Sequence, residues 1–239
     1  TLIRSRRQRQ MCYKRQVLDF YESTEPVGHP LLWEYERETI AASVRELLAD
    51  EAREDSGAVP TMFEAWFGGR TPDEAVTFDA GGRTLSFHGK IDRVDITPDG
   101  GFVVIDYKTG RVLAKDQDLG GGSYLQLPVY LLAASDLLGV PIEKGKAMLR
   151  RVGTGNSRKK AVFSGADWKT DGTVFARILD VIVNGITSGF FFVSPGVTGC
   201  DYCGVRQACP TGMGFLFFVK AAGDDRALDY LDRRGLTIE

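Results

Sequence analysis

Several things are missing from this chain of 239 residues. No apolar run approaches the length of a membrane span, and Phe190-Phe191-Phe192-Val193 is far too short for one. No segment resembles a secretory signal. Four cysteines are too sparse for a disulfide framework in a chain this long, so free thiols in a reducing cytoplasm are expected. Gly-x4-Gly-Lys-Ser/Thr is absent: Gly120-Gly121-Gly122-Ser123 is glycine-rich but lacks the Lys-Ser or Lys-Thr of a phosphate loop, which leaves it as a flexible hinge. Internal repeats and low-complexity tracts are absent too. What remains has the length and the ordinary apolar and charged fractions of one compact domain.

The most informative stretch is Gly89-Lys90-Ile91-Asp92-Arg93-Val94-Asp95, followed by Val103-Val104-Ile105-Asp106-Tyr107-Lys108-Thr109-Gly110. Both runs are rich in β-formers, and Thr97-Pro98-Asp99-Gly100-Gly101 between them carries turn residues, which predicts a hairpin. A period of two turns Asp106 and Lys108 to one face and Tyr107 to the other. Asp92 can come alongside from the neighbouring strand. Two carboxylates can hold Mg2+ or Mn2+, and a lysine beside them can orient a water or stabilise a phosphorane. Alone, Asp-x-Lys on a hairpin is more often solvated surface. Burial of Asp106 in a Val-Val-Ile-x-Tyr strand argues otherwise, because a buried carboxylate needs a cation or a metal.

These two runs, with Gln126-Leu127-Pro128-Val129-Tyr130 downstream, resemble the PD-(D/E)XK nuclease superfamily in its RecB-like branch of helicase-associated exonuclease domains. The resemblance implies a restriction-endonuclease-like α/β fold, a mixed sheet flanked by helices. It also implies Asp92 and Asp106 as metal ligands, Lys108 as catalytic lysine, and Gln126 and Tyr130 as a helix motif. The i, i+4 spacing of that last pair puts both on one helical face. The implied activity is Mg2+- or Mn2+-dependent hydrolysis of DNA, with single-stranded ends as substrate and a helicase domain or subunit as partner, in recombination and double-strand-break repair. A non-catalytic, cluster-stabilised DNA-binding module of the same fold is the alternative.

Cys200-Asp201-Tyr202-Cys203 and Cys209 form a C-x2-C-x5-C cluster. Such thiolates suit an iron-sulfur cluster or a structural zinc, and a redox pair is a further reading. The resemblance implies a [4Fe-4S] cluster, since AddB-type nucleases carry this spacing at the C-terminal end of the domain and take a fourth cysteine from upstream. Zinc is the lesser alternative.

The remaining cysteine, Cys12, is a poor fourth ligand because it sits in Arg4-Ser5-Arg6-Arg7-Gln8-Arg9-Gln10-Met11-Cys12-Tyr13-Lys14-Arg15-Gln16, which resembles translated sequencing-adapter DNA. Residues 1–16 are therefore expected to be an artefact, with one nuclease domain over 17–239, truncated at its N-terminal end and with its cluster segment at 200–210. The first sixteen residues hold six basic and no acidic side chains, so the rest has 24 Lys and Arg against 32 Asp and Glu, net −8 instead of −2. A basic DNA-binding arm is thereby discounted. The family's upstream Gly-Thr-x-x-His helix is also missing: His29 stands before a proline and His88 before Gly89, outside that pattern.

The remaining elements read as follows. A charged helix over 30–53 has Leu31, Ile40, Val44, Leu47 and Leu48 as its apolar stripe. Strands are expected at 62–67, within 76–87, at 146–152 and at 161–163, with a basic hairpin tip over 153–160 that reads as a solvated turn, phosphate contact being the alternative. Helices are expected at 125–138, 174–187 and 221–234.

Overall fold

In the computed structural model the described residues are 16–54, 56–69, 75–110, 112, 119–122, 124–154, 160–191, 203–209 and 213–228. After a helical stretch at 16–24 comes helix α1, Pro30–Glu54, then strands β1 (Val59–Phe67), β2 (Val76–Ala80), β3 (Arg83–Phe87), β4 (Gly89–Ile96) and β5 (Phe102–Lys108). Helices α2 (Leu119–Gly122) and α3 (Gln126–Leu138) lead to β6 (Gly145–Arg151) and β7 (Lys160–Ser164). Helices α4 (Trp168–Ser188) and α5 (Met213–Ala222) follow.

Five strands form one sheet in the order β1-β4-β5-β6-β7, and β2 pairs with β3 alone. The β4–β5 pairing is the antiparallel hairpin expected from the turn residues, in register Val94↔Val104. Gly100, at φ 76, permits its tight turn, with Gly100 N–H donating to Thr97 O at 3.0 Å. From β5 to β6 the pairing is parallel, which requires a crossover, and α3 lies within it. The sheet is therefore mixed, as expected.

The core lies between the sheet, α3, α4 and the β2–β3 ribbon. Phe102, Val104, Leu131 and Ala147 are essentially inaccessible. Trp168 and Phe175 of α4 make ring contacts with Phe78 of β2, and Trp168 another with Phe163 of β7. Gly145 starts β6 where a Cβ would stand 2.2 Å from the Phe102 ring and 2.8 Å from Leu131. That close approach is what lets α3 rest on the parallel pair.

Four expectations need correction. The α1 stripe docks only in part: Leu31 is 71% and Ile40 41% exposed, Val44, Leu47 and Leu48 are half-buried, and the buried residues are Trp33, Ser43 and Asp50. The helix is held by charged contacts from its last turns, described below. Gly120 to Gly122, read as a hinge, belong to the short helix α2, anchored by Leu119, which is 1% exposed and whose carbonyl accepts Tyr124 N–H at 3.1 Å. Helix α4 begins at Trp168, six residues before the expected 174, because the Trp168 ring belongs to the aromatic core. The final helix expected over 221–234 starts instead at Met213, where the apolar run Met213 to Val219 begins, and breaks at Gly223; a second helical turn covers 225–228. Residues 229–234 lie outside the described set.

Candidate active site

The register brings the acidic residues together. Pairing of β4 with β5 runs to Arg93↔Ile105, so the next step places Asp92 opposite Asp106. There the Asp92 side chain takes over from a carbonyl: Tyr107 N–H donates to Asp92 Oδ2 at 2.9 Å. On the other side of β4, pairing with β1 passes from Phe63↔Arg93 to Ala65↔Ile91, leaving out Glu64, at φ 49, and Asp92. Ile91 and Val94 are both fully buried although three apart, so the alternation of β4 breaks at Asp92. The regular alternation of the strand is interrupted at the acidic residue.

Asp106 is only 3% exposed. Gln126 at the start of α3 donates from Nε2 to Asp106 Oδ1 at 3.0 Å and to Tyr130 Oη at 2.9 Å, so the two residues four apart do share a face. The Tyr130 ring packs edge-on against Phe67 of β1. Asp106 Oδ2 lies 2.6 Å from Lys108 Nζ, yet it receives no hydrogen bond of good geometry. The Asp106 carboxyl is pushed above the usual carboxylate range, mainly by burial; Lys108 opposes the shift and the charge of Asp92 adds to it. A buried, electron-rich oxygen beside a second carboxylate, with one cation too few to neutralise both, suits a divalent metal with hard-oxygen preference. Asp92 and Asp106 would hold it.

Among the described residues no group of three or more His, Cys, Asp or Glu is placed to bind a metal. His29 and His88 are both exposed and make no contact with the acidic pair; His29 Nδ1 accepts Leu31 N–H at the start of α1. Cys12 and Cys200 lie outside the described residues. Cys203 and Cys209 are free thiols flanking the turn Arg206–Ala208, whose backbone is tied by Arg206 N–H to Cys203 O and Cys209 N–H to Arg206 O. Thiols of this kind match the donor chemistry of an iron-sulfur cluster or zinc. The basic tip between β6 and β7 has residues 155–159 outside the described set.

The face behind the acidic pair was not foreseen. Arg93, next to Asp92, donates from its fork to Asp95 at 2.6 and 2.7 Å and from Nη1 to both oxygens of Glu51 on α1 at 3.0 and 3.1 Å. The hydrogen bond to Asp95 raises the Arg93 pKa most, against burial, and fixes its charge. Tyr107, next to Asp106, donates its hydroxyl to Glu51 Oε1 at 3.2 Å and accepts from Arg93 at 2.9 Å; burial and the charge of Glu51 hold its phenol above the ordinary value. The only sequence signal was Arg93 and Asp95 within the quoted run. A groove of ≈ 770 Å³ lined by Trp66, Phe67, His88 and Leu137 lies toward the opposite end of α3 from Gln126, and neither Asp92 nor Asp106 lines it.

Comparison with protein families matches residues 4–210 to the PD-(D/E)XK nuclease superfamily. The chain belongs to that superfamily. The mixed α/β sheet flanked by helices is consistent with the PD-(D/E)XK fold. A stretch of 76 residues is 37% identical to an ATP-dependent helicase/deoxyribonuclease subunit of Carboxydothermus hydrogenoformans, covering 30% of this chain and 7% of that protein. The solved structure of SSO0001 overlaps 84% of this chain and 80% of its own at 18% identity, with a TM-score of 0.36. Superfamily members typically use a divalent metal, which the Asp92–Asp106 pair fits. Among the described residues no helix is long and apolar enough to cross a membrane.

Proposed function

We propose that this chain is a metal-dependent DNA exonuclease domain, the nuclease part of a helicase-nuclease that processes DNA ends in recombination and double-strand-break repair. The observation that carries the reading is the Asp106–Lys108 pair beside Asp92, with Gln126 donating to Asp106 from α3. Superfamily membership and the partial likeness to a helicase/deoxyribonuclease component support it. A bound Mg2+ or Mn2+ would acidify a water and offset charge on the leaving oxygen. Asp92 and Asp106 would hold that ion. Lys108, whose side chain is 36% exposed, reaches out of the strand pair to orient the nucleophilic water or to meet the phosphorane. Gln126 fixes the Asp106 carboxylate, and Tyr130 fixes Gln126. Single-stranded DNA ends are the proposed substrate. The sequence holds no Gly-x4-Gly-Lys-Ser/Thr, so unwinding would come from another region or subunit.

Cys200, Cys203 and Cys209 are proposed to ligate a [4Fe-4S] cluster that ties down the C-terminal segment, with zinc as the alternative occupant. Protein purified without oxygen should be brown and contain iron. Colourless protein with bound zinc would assign the thiols to zinc.

The deciding assay is Mg2+-dependent cleavage of linear DNA, single- and double-stranded, by the wild type and Asp106→Ala. Cleavage lost in the variant supports the enzyme. DNA binding with no cleavage in the wild type replaces it with a non-catalytic module of the same fold.

A further inference from the structure

The two proposed metal ligands share an arrangement: each is followed by a residue that reaches back through the sheet to the same carboxylate. Arg93 succeeds Asp92 on β4, and Tyr107 succeeds Asp106 on β5; both bond to Glu51. Arg150 of β6, paired in register with Tyr107 and 3% exposed, lies 3.5 Å from the same Glu51 oxygen and 3.4 Å from Glu54. One carboxylate on α1 therefore ties three neighbouring strands directly behind the site. Tyr107 is held at both ends, its hydroxyl between Glu51 and Arg93 and its N–H on Asp92 Oδ2.

We propose that Glu51 is a positioning residue, which sets the separation and direction of Asp92 and Asp106 from the far face of the sheet. The inference rests on the metal-dependent nuclease reading. Buried ion networks are poor sources of net stability, because desolvation cancels much of the attraction. What this network supplies is geometry. If Glu51 is removed, the Tyr107 hydroxyl keeps only its bond from Arg93, which itself loses Glu51, and the N–H that orients Asp92 shifts with it. Arg93 keeps its fork on Asp95, so β4 itself stays charged and folded while the link between β4, β5 and β6 loosens. Groups that orient metal ligands through hydrogen bonds typically matter by about 10- to 100-fold in metal affinity.

The test uses the full chain with Mn2+ as the probe. Mn2+ binding is read by electron paramagnetic resonance in the wild type, Glu51→Gln and Glu51→Ala, and the Mn2+ half-saturation of DNA cleavage is read alongside. Amide exchange of Tyr107 N–H is compared with that of Val104 on the same strand. Glu51→Ala is expected to weaken Mn2+ binding about tenfold or more, with Gln partly rescuing it because its amide oxygen still accepts. Tyr107 N–H should exchange faster while Val104 stays protected. A purely structural role would lower the melting temperature and leave Mn2+ affinity and the Tyr107-to-Val104 exchange ratio as in the wild type, and that result overturns the proposal. Should Glu51→Ala fail to fold, Glu51→Gln, which keeps the shape and removes the charge, decides: Mn2+ binding weaker than the wild type sustains the proposal and wild-type binding overturns it. A wild type that binds Mn2+ but cleaves no DNA refutes the nuclease reading and still lets the Mn2+ ratios judge Glu51. A wild type that binds no Mn2+ overturns both.

Discussion

Replacing Asp106 with asparagine is expected to stabilise the metal-free protein while abolishing cleavage. Asp106 is 3% exposed, and burial raises its pKa above the ordinary carboxylate value despite Lys108. The charged form is therefore disfavoured in the folded state. Asparagine keeps the shape, and its carbonyl still accepts from Gln126 Nε2, now 3.0 Å from Oδ1. Lys108 loses its partner, but its side chain is 36% exposed and can turn to water, a loss of about 0–1 kcal/mol. The raised pKa means that ionised Asp106 weighs against the fold, so a net gain of about 1 kcal/mol is expected. For a chain of this size that is a rise of about 2–4 °C in melting temperature. Because the folded pKa lies above the unfolded one, the wild type carries its penalty in full only above the folded value. The gap between the two proteins must therefore shrink as pH falls through the folded value toward about 3.9. Mg2+ reverses the order, since a ligand at 100 times its Kd adds about 2.7 kcal/mol to the protein that binds it. Melting followed by circular dichroism, with and without Mg2+ and across pH, measures all three effects. A variant that melts at or below the wild type without metal, or a gap that does not change with pH, would refute the reasoning.

Asp92→Ala leaves the Tyr107 N–H without its acceptor and is expected to cost about 1–3 kcal/mol as well as activity, read by melting and by cleavage of linear DNA. Gln126→Ala frees the Asp106 carboxylate, and should raise the half-saturating Mg2+ concentration for cleavage by about 10-fold or more; an unchanged metal requirement would remove Gln126 from the site. Gly145→Ala would drive a Cβ into the Phe102 ring and Leu131, costing about 1–3 kcal/mol in a denaturant titration. Cys203→Ser should lower the iron bound per chain after anaerobic purification and fray the C-terminal segment to protease, since metal binding and folding are coupled in such sites.

The hairpin and its acidic residues were legible because everything that specifies them is local. The β-branched runs and a Thr-Pro-Asp-Gly-Gly turn fix the hairpin register that sets Asp92 against Asp106 without reference to the rest of the chain. Gln126 and Tyr130 were legible for the same reason, through a spacing of four on one helix. Local signals also misled where tertiary contacts overrode them. The glycines after Leu119 look like a hinge, but the buried leucine holds them in a helical turn. The aliphatic stripe of α1 is half-buried at Val44, Leu47 and Leu48 but lies in solvent at Leu31 and Ile40.

That failure and the missed network have one cause. Glu51 meets Arg93 across 42 residues of sequence and Tyr107 across 56, separations at which no periodicity survives. Read singly, Glu51, Arg93, Asp95 and Arg150 are charges that belong on a wet surface, and the aliphatic residues of α1 belong inside. The structure brings these charges in as well, because Glu51 meets Arg93, Tyr107 and Arg150 where the last turns of the helix cross β4, β5 and β6, and Asp95 pairs with Arg93 on β4. A helix docked by an apolar stripe can slide or rotate at small cost, since the hydrophobic effect is non-directional. Bidentate and shared hydrogen bonds to charged groups penalise such motion. The sheet face that carries Asp92 and Asp106 is thus backed by the contact type that tolerates displacement least, which is what a pair of carboxylates sharing a cation requires.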